Sequence, residues 1–538
     1  MRKDRSNIVN ICMILFFVVC VIAPLGSMLL RVTPDGARAV FQSPQFGPAA
    51  INSLSTALTA TLLTLTLSLL AAWSLERTQT RGKALFGALF TLPMLIPSIS
   101  HALGLVALFG KNGLLTSLLH LPGSVYGFWG IVAGSVMYSF PIAFLMFSNI
   151  LRYEDAMPYQ AAEVLGIPAA RQFTSLTLPY LKKTMISAFF AVFTMVITDY
   201  GVPLMVRGKC MTLSVLMYDR AVSMMDYSAG SVIGALLLLP AIAAFLVDLM
   251  APERGTDSFI SQPIRLKKDP VFDALASIFC VLIGLCVLAP IVSFCLMAFE
   301  NKYPVDPAFS LRHVERAAAR GAGQYLINSV LYAVLTALLG TLLAFVCAYL
   351  AARKKGAFSK GLHLISITSM AIPGIVLGLS YVIFFHSTPV YGTIFIIVLV
   401  NSIHFFSSPY LMMYNALEKL NPQLEDVGQC LGVNRFYIIR DVVLPKVGHT
   451  LTEMFTYFFV NSMMTISAVS FLVPPAPKPV ALMIGQFETQ LLIESAAFVS
   501  LLILAVNLGI KGLTTVVSSS HSHGLNQGAV YLFPKRHC

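Results

Sequence analysis

Twelve apolar runs, each close to the length of a bilayer crossing, set the terms for this sequence. They fall at roughly 8–30, 51–75, 84–108, 123–148, 184–206, 228–250, 271–299, 325–352, 361–385, 390–416, 448–473 and 494–517. A helix needs about 20 apolar residues to cross the hydrocarbon core, and a soluble core cannot absorb so many runs of that length. Of the 538 residues, 57% are hydrophobic and 11% charged. Soluble domains carry roughly 25% charged residues, so the charge present would not cover a water-facing surface. The mean hydropathy of +0.79 agrees. A soluble enzyme, a disordered chain and a fibrous repeat are excluded. The expected fold is an all-α polytopic membrane protein with about 12 transmembrane helices.

The net charge of +12 does not call for a nucleic-acid partner, because membrane proteins gather Lys and Arg on the cytoplasmic side. With the N-terminus inside and sides alternating, 25 of the 36 Lys and Arg fall in cytoplasmic segments. The asymmetry predicts a multi-pass protein of a bacterial cytoplasmic membrane with both termini inside. Arg2, Lys3 and Arg5 before the first run resemble the start of a secretory signal. The run is too long for a signal core and further spans follow, so an uncleaved first helix is expected. Cys12, Cys20, Cys280, Cys286, Cys295 and Cys347 lie inside apolar runs, where cysteine acts as a small hydrophobe. No metal-ligand spacing occurs, and neither a catalytic nor a metal site is expected.

The two halves of the chain answer each other. Asn52-Ser53 opens the second run and Asn328-Ser329 the eighth, 276 residues later. Pro97 and Pro373 keep the same offset, and Pro141 and Pro409 stand 268 apart. One shared proline carries little weight in membrane helices, but an ordered series at nearly constant offset indicates duplication. Six crossings per half give both halves one orientation, a parallel repeat. The expected organisation is a first half over 1–250, a cytoplasmic linker over 251–270, a second half over 271–517 and a cytoplasmic tail over 518–538.

The segments after the fourth and tenth runs, 158–180 and 422–446, carry the most information. The first reads Gln160-Ala161-Ala162, three residues, Gly166, and eventually Leu178-Pro179. The second reads Asp426-Val427-Gly428, three residues, Gly432, and Leu444-Pro445. Gly to Pro is 13 residues in both. The pattern predicts a short helix, a glycine in the left-handed conformation that ends it, a second short helix, and a proline near the start of a membrane helix, where it costs least.

These loops resemble the EAA motif of permease subunits of bacterial ATP-binding-cassette importers: E-A-A, three residues, G, nine residues, I-x-L-P. The sequence departs from that pattern where Gln160 and Asp426 replace Glu and Val427-Gly428 replaces Ala-Ala. The resemblance covers nearly the whole chain and extends to the fused iron(III), thiamine, polyamine and phosphonate branches. It implies that Gln160, Ala161, Ala162, Gly166, Leu178, Pro179, Asp426, Val427, Gly428, Gly432, Leu444 and Pro445 dock an ATP-binding-cassette ATPase dimer. It also implies an extracytoplasmic substrate-binding protein as partner. No G-x-x-x-x-G-K-[ST] phosphate loop occurs, so ATP and magnesium are expected in the partner ATPase, with no cofactor bound by this chain.

Asp199 is the one carboxylate well inside a run. It lies eight residues before Arg207, about 12 Å along a helix, in the outer half. Buried carboxylates in membranes face a cavity or a partner. Asp199 and Tyr200, with Thr465 at the repeat-equivalent position of Asp199, are therefore candidates for the translocation path or gate. Hydrogen-bonded packing is the equal alternative. His101 and His404 read as packing residues. The string Thr198-Asp199-Tyr200-Gly201-Val202-Pro203, with the Leu236-to-Asp248 stretch of the sixth run, is most similar to fused permeases for 2-aminoethylphosphonate, and iron(III) permeases carry a related string. The rival class is an ion-coupled secondary transporter, which would need midplane carboxylates beyond Asp199; a channel ranks third.

Overall fold

The computed structural model describes residues 2–120, 125–250, 264, 269–354, 356–472 and 478–528. Among them, nine helices are long and apolar enough to cross a membrane, or eleven if each of two bent pairs is one span. A single two-stranded sheet, Glu300–Lys302 against Asp306–Phe309, is the only strand pairing among the described residues. The fold is that of an all-α polytopic membrane protein. Most of the expected linker and the last ten residues lie outside the described residues. Residues 518–528 continue the helix Ile493–Gly528.

Proline decides where expected spans break. The run 84–108 divides into Lys83–Thr91, a tighter turn Leu92–Leu95, and Ser98–Phe109. The run 361–385 divides in the same way into Ala357–Thr368, Ser369–Ala371 and Gly374–Phe385. Between the pieces stand Ile96-Pro97 and Ile372-Pro373. A residue before proline is pushed out of the helical region, and Ile96 (φ −124°, ψ 147°) and Ile372 (φ −108°, ψ 110°) are extended. In the second copy the axis turns by 107° at the break. The run 390–416 is also bent, by 55°, between Ile394–His404 and Ser407–Glu418. The fifth span of each half stops short: Phe173–Ile197 is followed by the small helix Gly201–Val206, and Leu444–Met464 ends at an extended Thr465. The latter helix, with Lys446, His449 and Glu453 along its first turns, is not among the nine apolar spans, so the count falls below twelve.

The repeated Asn-Ser openings have a structural cause. Ser53 Oγ accepts the Leu213 amide at 2.7 Å, and Ser329 Oγ accepts the Val480 amide at 2.7 Å. Each serine satisfies a buried backbone donor that would otherwise be left unpaired.

Contacts divide the chain into two compact units that do not follow the sequence halves. One comprises Arg31–Ala322 and Ala481–Leu501; the other comprises Met1–Leu30, Gly323–Val480 and Leu502–Cys538. Within the first unit, Pro270–Phe299 packs on Ser98–Phe109 so closely that a Cβ on Gly104 would lie 2.4 Å from Pro290 Cβ. The Tyr303 hydroxyl donates to the Ala107 carbonyl at 3.0 Å. Within the second, the opening span Val9–Leu29 packs on Gly374–Phe385, where the Tyr381 hydroxyl donates to the Cys20 carbonyl at 2.7 Å. Ser98–Phe109 and Gly374–Phe385 are repeat equivalents. Each half thus gives its opening span to the other half's unit.

The first unit is centred on Phe46–Glu76 against Phe128–Arg152. Ala57, Ala60, Ala71 and Ala72 are buried there, the Thr64 and Ser139 hydroxyls lie 3.0 Å apart, and Ser68 donates to the Phe140 carbonyl. Small residues let backbones approach, and hydroxyls bond across the seam, which is how membrane helices associate without a hydrophobic drive.

Candidate docking site

Each candidate loop is built by local rules that its residues satisfy. In the first copy, Met157–Val164 is followed by Gly166 at φ +68°. The Gly166 amide donates to Glu163 and the Ile167 amide to Ala162, the paired bonds that close a helix on a left-handed glycine. In the second, Gln423–Cys430 precedes Gly432 at φ +76°, and the Val433 amide donates to Gly428. Short helices Ala169–Gln172 and Arg435–Ile438 follow. The chain then widens by one residue per turn: Leu178 bonds back to Phe173, and Leu444 to Ile439. Pro179 and Pro445 come next. A proline ring collides with the carbonyl four residues before it, and the widened turn relieves that collision.

Of the motif residues, Gln160, Ala161, Gly166, Leu178 and Pro179 are exposed and Ala162 is buried. In the second copy Asp426, Val427, Gly432 and Pro445 are exposed, while Gly428 and Leu444 are half-buried. Apolar side chains project beside both glycines: Val164 is 88% and Leu165 75% exposed, and Leu431 is 76% exposed. Gly428, where the motif pattern has alanine, lies against Ile438, which would have to shift to admit a Cβ. A Cβ there would lie 2.8 Å from Ile438 Cδ1.

Beneath each loop sits a buried cluster that the sequence reading missed. Arg77, which caps Phe46–Glu76, pairs with Glu154 in the turn before Met157–Val164, and their side chains are 8% and 4% exposed. The Tyr159 hydroxyl donates to Glu154 and lies 2.6 Å from Thr177 Oγ1. The Arg77 guanidinium stands 5.9 Å from the Trp73 ring and 5.6 Å from the Tyr159 ring. Burial lifts the Glu154 carboxyl above its ordinary range, and the Tyr159 hydroxyl and Arg77 oppose that in part. Burial and Glu154 push Tyr159 up to about 12, so it stays a donor. In the second copy Arg353 donates to Glu425 at 2.7 Å, both 7% exposed, and the Tyr349 hydroxyl donates to Glu425 at 2.6 Å. Arg435 donates to the Tyr349 hydroxyl and stacks over its ring at 5.6 Å. Arg77 and Arg353 keep the repeat offset, which was a visible signal. Their acidic partners do not keep it, so comparison of the halves passes over them.

Asp199 and Tyr200 lie together in the first unit, at the break after Ile197. The Asp199 carboxylate accepts the Val202 amide at 2.9 Å and faces the Ser98 hydroxyl and the Tyr200 and Gly201 amides. Its backbone carbonyl accepts the Ser214 hydroxyl. The Tyr200 ring lies 4.5 Å from that of Tyr218, tilted by 36°. Thr465, 8% exposed, belongs to the second unit. His101 Nε2 and His404 Nδ1 are buried without a hydrogen-bond partner.

A family model for binding-protein-dependent transport system inner membrane components matches residues 64–253 and 340–521. The ferric transport system permease protein FbpB of Actinobacillus pleuropneumoniae is 25% identical over 72% of this chain and 59% of its own length. A putative ferric transport system permease protein, FbpB 1, of Haemophilus influenzae is 25% identical over 73% of this chain and 65% of its own. The chain therefore spans less than two thirds of either relative. Among solved structures, a chain of a bacterial alginate ABC transporter in complex with an alginate pentasaccharide-bound periplasmic protein aligns with a TM-score of 0.39. That alignment has 18% identity and covers 46% of this chain and 92% of that one.

Proposed function

The chain belongs to the family of binding-protein-dependent transport system inner membrane components, and from that premise we propose that it is the permease of an ATP-binding-cassette importer. It moves a small solute across the bacterial inner membrane. An extracytoplasmic binding protein delivers the solute, and a separate ATPase dimer, carrying ATP and magnesium, drives the cycle. The observation that carries the docking assignment is the duplicated loop. Two segments 266 residues apart build the same succession of helix, left-handed glycine, short helix, widened turn and proline. Each leaves apolar side chains exposed beside the glycine, the kind of surface that marks a protein contact. With both loops on the cytoplasmic face, both termini are cytoplasmic as well. Asp199, Tyr200 and Thr465, at the points where the fifth spans break, are the proposed lining of the path or gate.

Iron(III) is the substrate this reading favours, because both curated relatives described above are named for ferric transport. Those relatives lend no support to 2-aminoethylphosphonate, which rests on the resemblance of the Thr198–Pro203 string and the 236–248 stretch. The test is reconstitution in liposomes with a partner ATPase and an extracytoplasmic binding protein. ATP hydrolysis should be absent with this chain alone and appear with the ATPase. Uptake should require the binding protein and should favour iron(III) over 2-aminoethylphosphonate. Uptake driven by an ion gradient without ATP would replace the importer with a secondary transporter.

A further inference from the structure

Both docking loops rest on the same three chemical groups, assembled from different places in the sequence. A buried arginine ends a long span, a buried glutamate pairs with it, and a tyrosine hydroxyl donates to the glutamate's other oxygen. In the first copy the tyrosine, Tyr159, belongs to the docking helix, and the glutamate, Glu154, to the turn before it. In the second the glutamate, Glu425, belongs to the docking helix, and the tyrosine, Tyr349, to the long span, four residues before Arg353. Tyr159 and Glu425 hold the same register, seven residues before Gly166 and Gly432. The tyrosine and the glutamate come from different elements in the two copies, yet the connection between docking helix and span end is retained.

We propose that Arg77–Glu154–Tyr159 and Arg353–Glu425–Tyr349 are the anchors that carry motion of each docking helix into the spans Phe46–Glu76 and Ala322–Arg353. The inference rests on the importer reading above. A charged pair withdrawn from water resists separation, since either charge left single would be strongly disfavoured. The tyrosine fixes the carboxylate's second oxygen, so the joint resists both separation and rotation. An apolar contact at the same place would let the helix slide. The residues act as positioning groups. The arginine and glutamate side chains are at most 8% exposed, so an ATPase seated on the exposed loop would not reach the pairs.

The test uses the full importer in liposomes, with Glu154→Gln and Glu425→Gln singly and together. Gln keeps the shape and one acceptor while removing the charge. Uptake per ATP hydrolysed should fall on the order of tenfold to a hundredfold, the scale of misplacing positioned machinery by an ångström. Co-purification with the ATPase should stay near wild type. The complex should melt lower, because each variant leaves a buried arginine without its counter-charge, so uptake per ATP hydrolysed is the readout that a purely structural role would not move. Unchanged uptake per ATP in the double variant would overturn the proposal. Should the glutamine variants not fold, Tyr159→Phe and Tyr349→Phe decide. These remove only a hydroxyl and should lower uptake per ATP several-fold; wild-type coupling in both would reject the anchors. Failure of the unaltered chain to bind the ATPase would instead reject the importer reading on which the anchors depend.

Discussion

Gly201 begins its helix directly against the start of another, so that a Cβ at Gly201 would lie 2.3 Å from Ser98 Oγ. The second unit has the same contact with the residues reversed. Gly374 occupies the position of Ser98 and Ser467 that of Gly201, and a Cβ on Gly374 would lie 2.7 Å from Ser467 Oγ. One side of the contact must be bare, and either side can be. Gly201→Ala should therefore destabilise by about 1–3 kcal/mol through overpacking. Ser98→Gly with Gly201→Ser, which copies the second unit, should recover only part of that loss, because the Ile99 nitrogen stays 2.9 Å from the new Cβ and Asp199 loses the Ser98 hydroxyl. Melting in detergent checks both, and a double variant no better than the single would show that more than volume is at stake.

Gly166 and Gly432 have open space around their Cβ positions and left-handed φ. Substitution there meets backbone strain alone, about 1–2 kcal/mol for a residue with a Cβ. Gly166→Val and Gly432→Val should insert in the membrane normally yet lose ATPase in pull-down. Normal recovery of ATPase with both variants would remove these loops from the docking surface.

Gly428 tests the steric account of the second loop. Gly428→Ala should push Ile438 aside, costing about 1 kcal/mol, the low end of overpacking. Shortening the neighbour with Ile438→Val should reverse most of the effect. Equal melting temperatures for wild type and Gly428→Ala would mean that Ile438 yields freely.

Asp199→Asn keeps one acceptor for the Val202 amide but turns a donor toward groups that now donate to the carboxylate. Stability should fall by about 1.5–3 kcal/mol, the range for a hydrogen bond to a charged group. Uptake per folded molecule should fall as well, with ATPase binding intact. Lower stability with undiminished uptake per folded molecule would leave Asp199 as a brace between Ser98 and Gly201–Val206 and strike it from the path.

What sequence alone determined here are features governed by a few neighbouring residues. Runs of bilayer length predict spanning helices from composition alone, and most of them form one; glycine at a helix end permits the left-handed turns at Gly166 and Gly432. Pro97 and Pro373 were visible as repeat markers. Their extended isoleucine neighbours, which divide two expected spans, follow from the same local rule applied one residue earlier. Tertiary structure alone decided which spans share a unit, because membrane helices associate through close fit and scattered hydrogen bonds, and these leave no periodic trace in composition. That is why the opening spans could change units unseen, and why Gly428 read as degeneracy until Ile438 stood beside it. It is also why Glu154 and Glu425 escaped a comparison of the halves. A buried arginine requires a carboxylate in space, and the fold supplied one from a turn in the first copy and from a helix in the second.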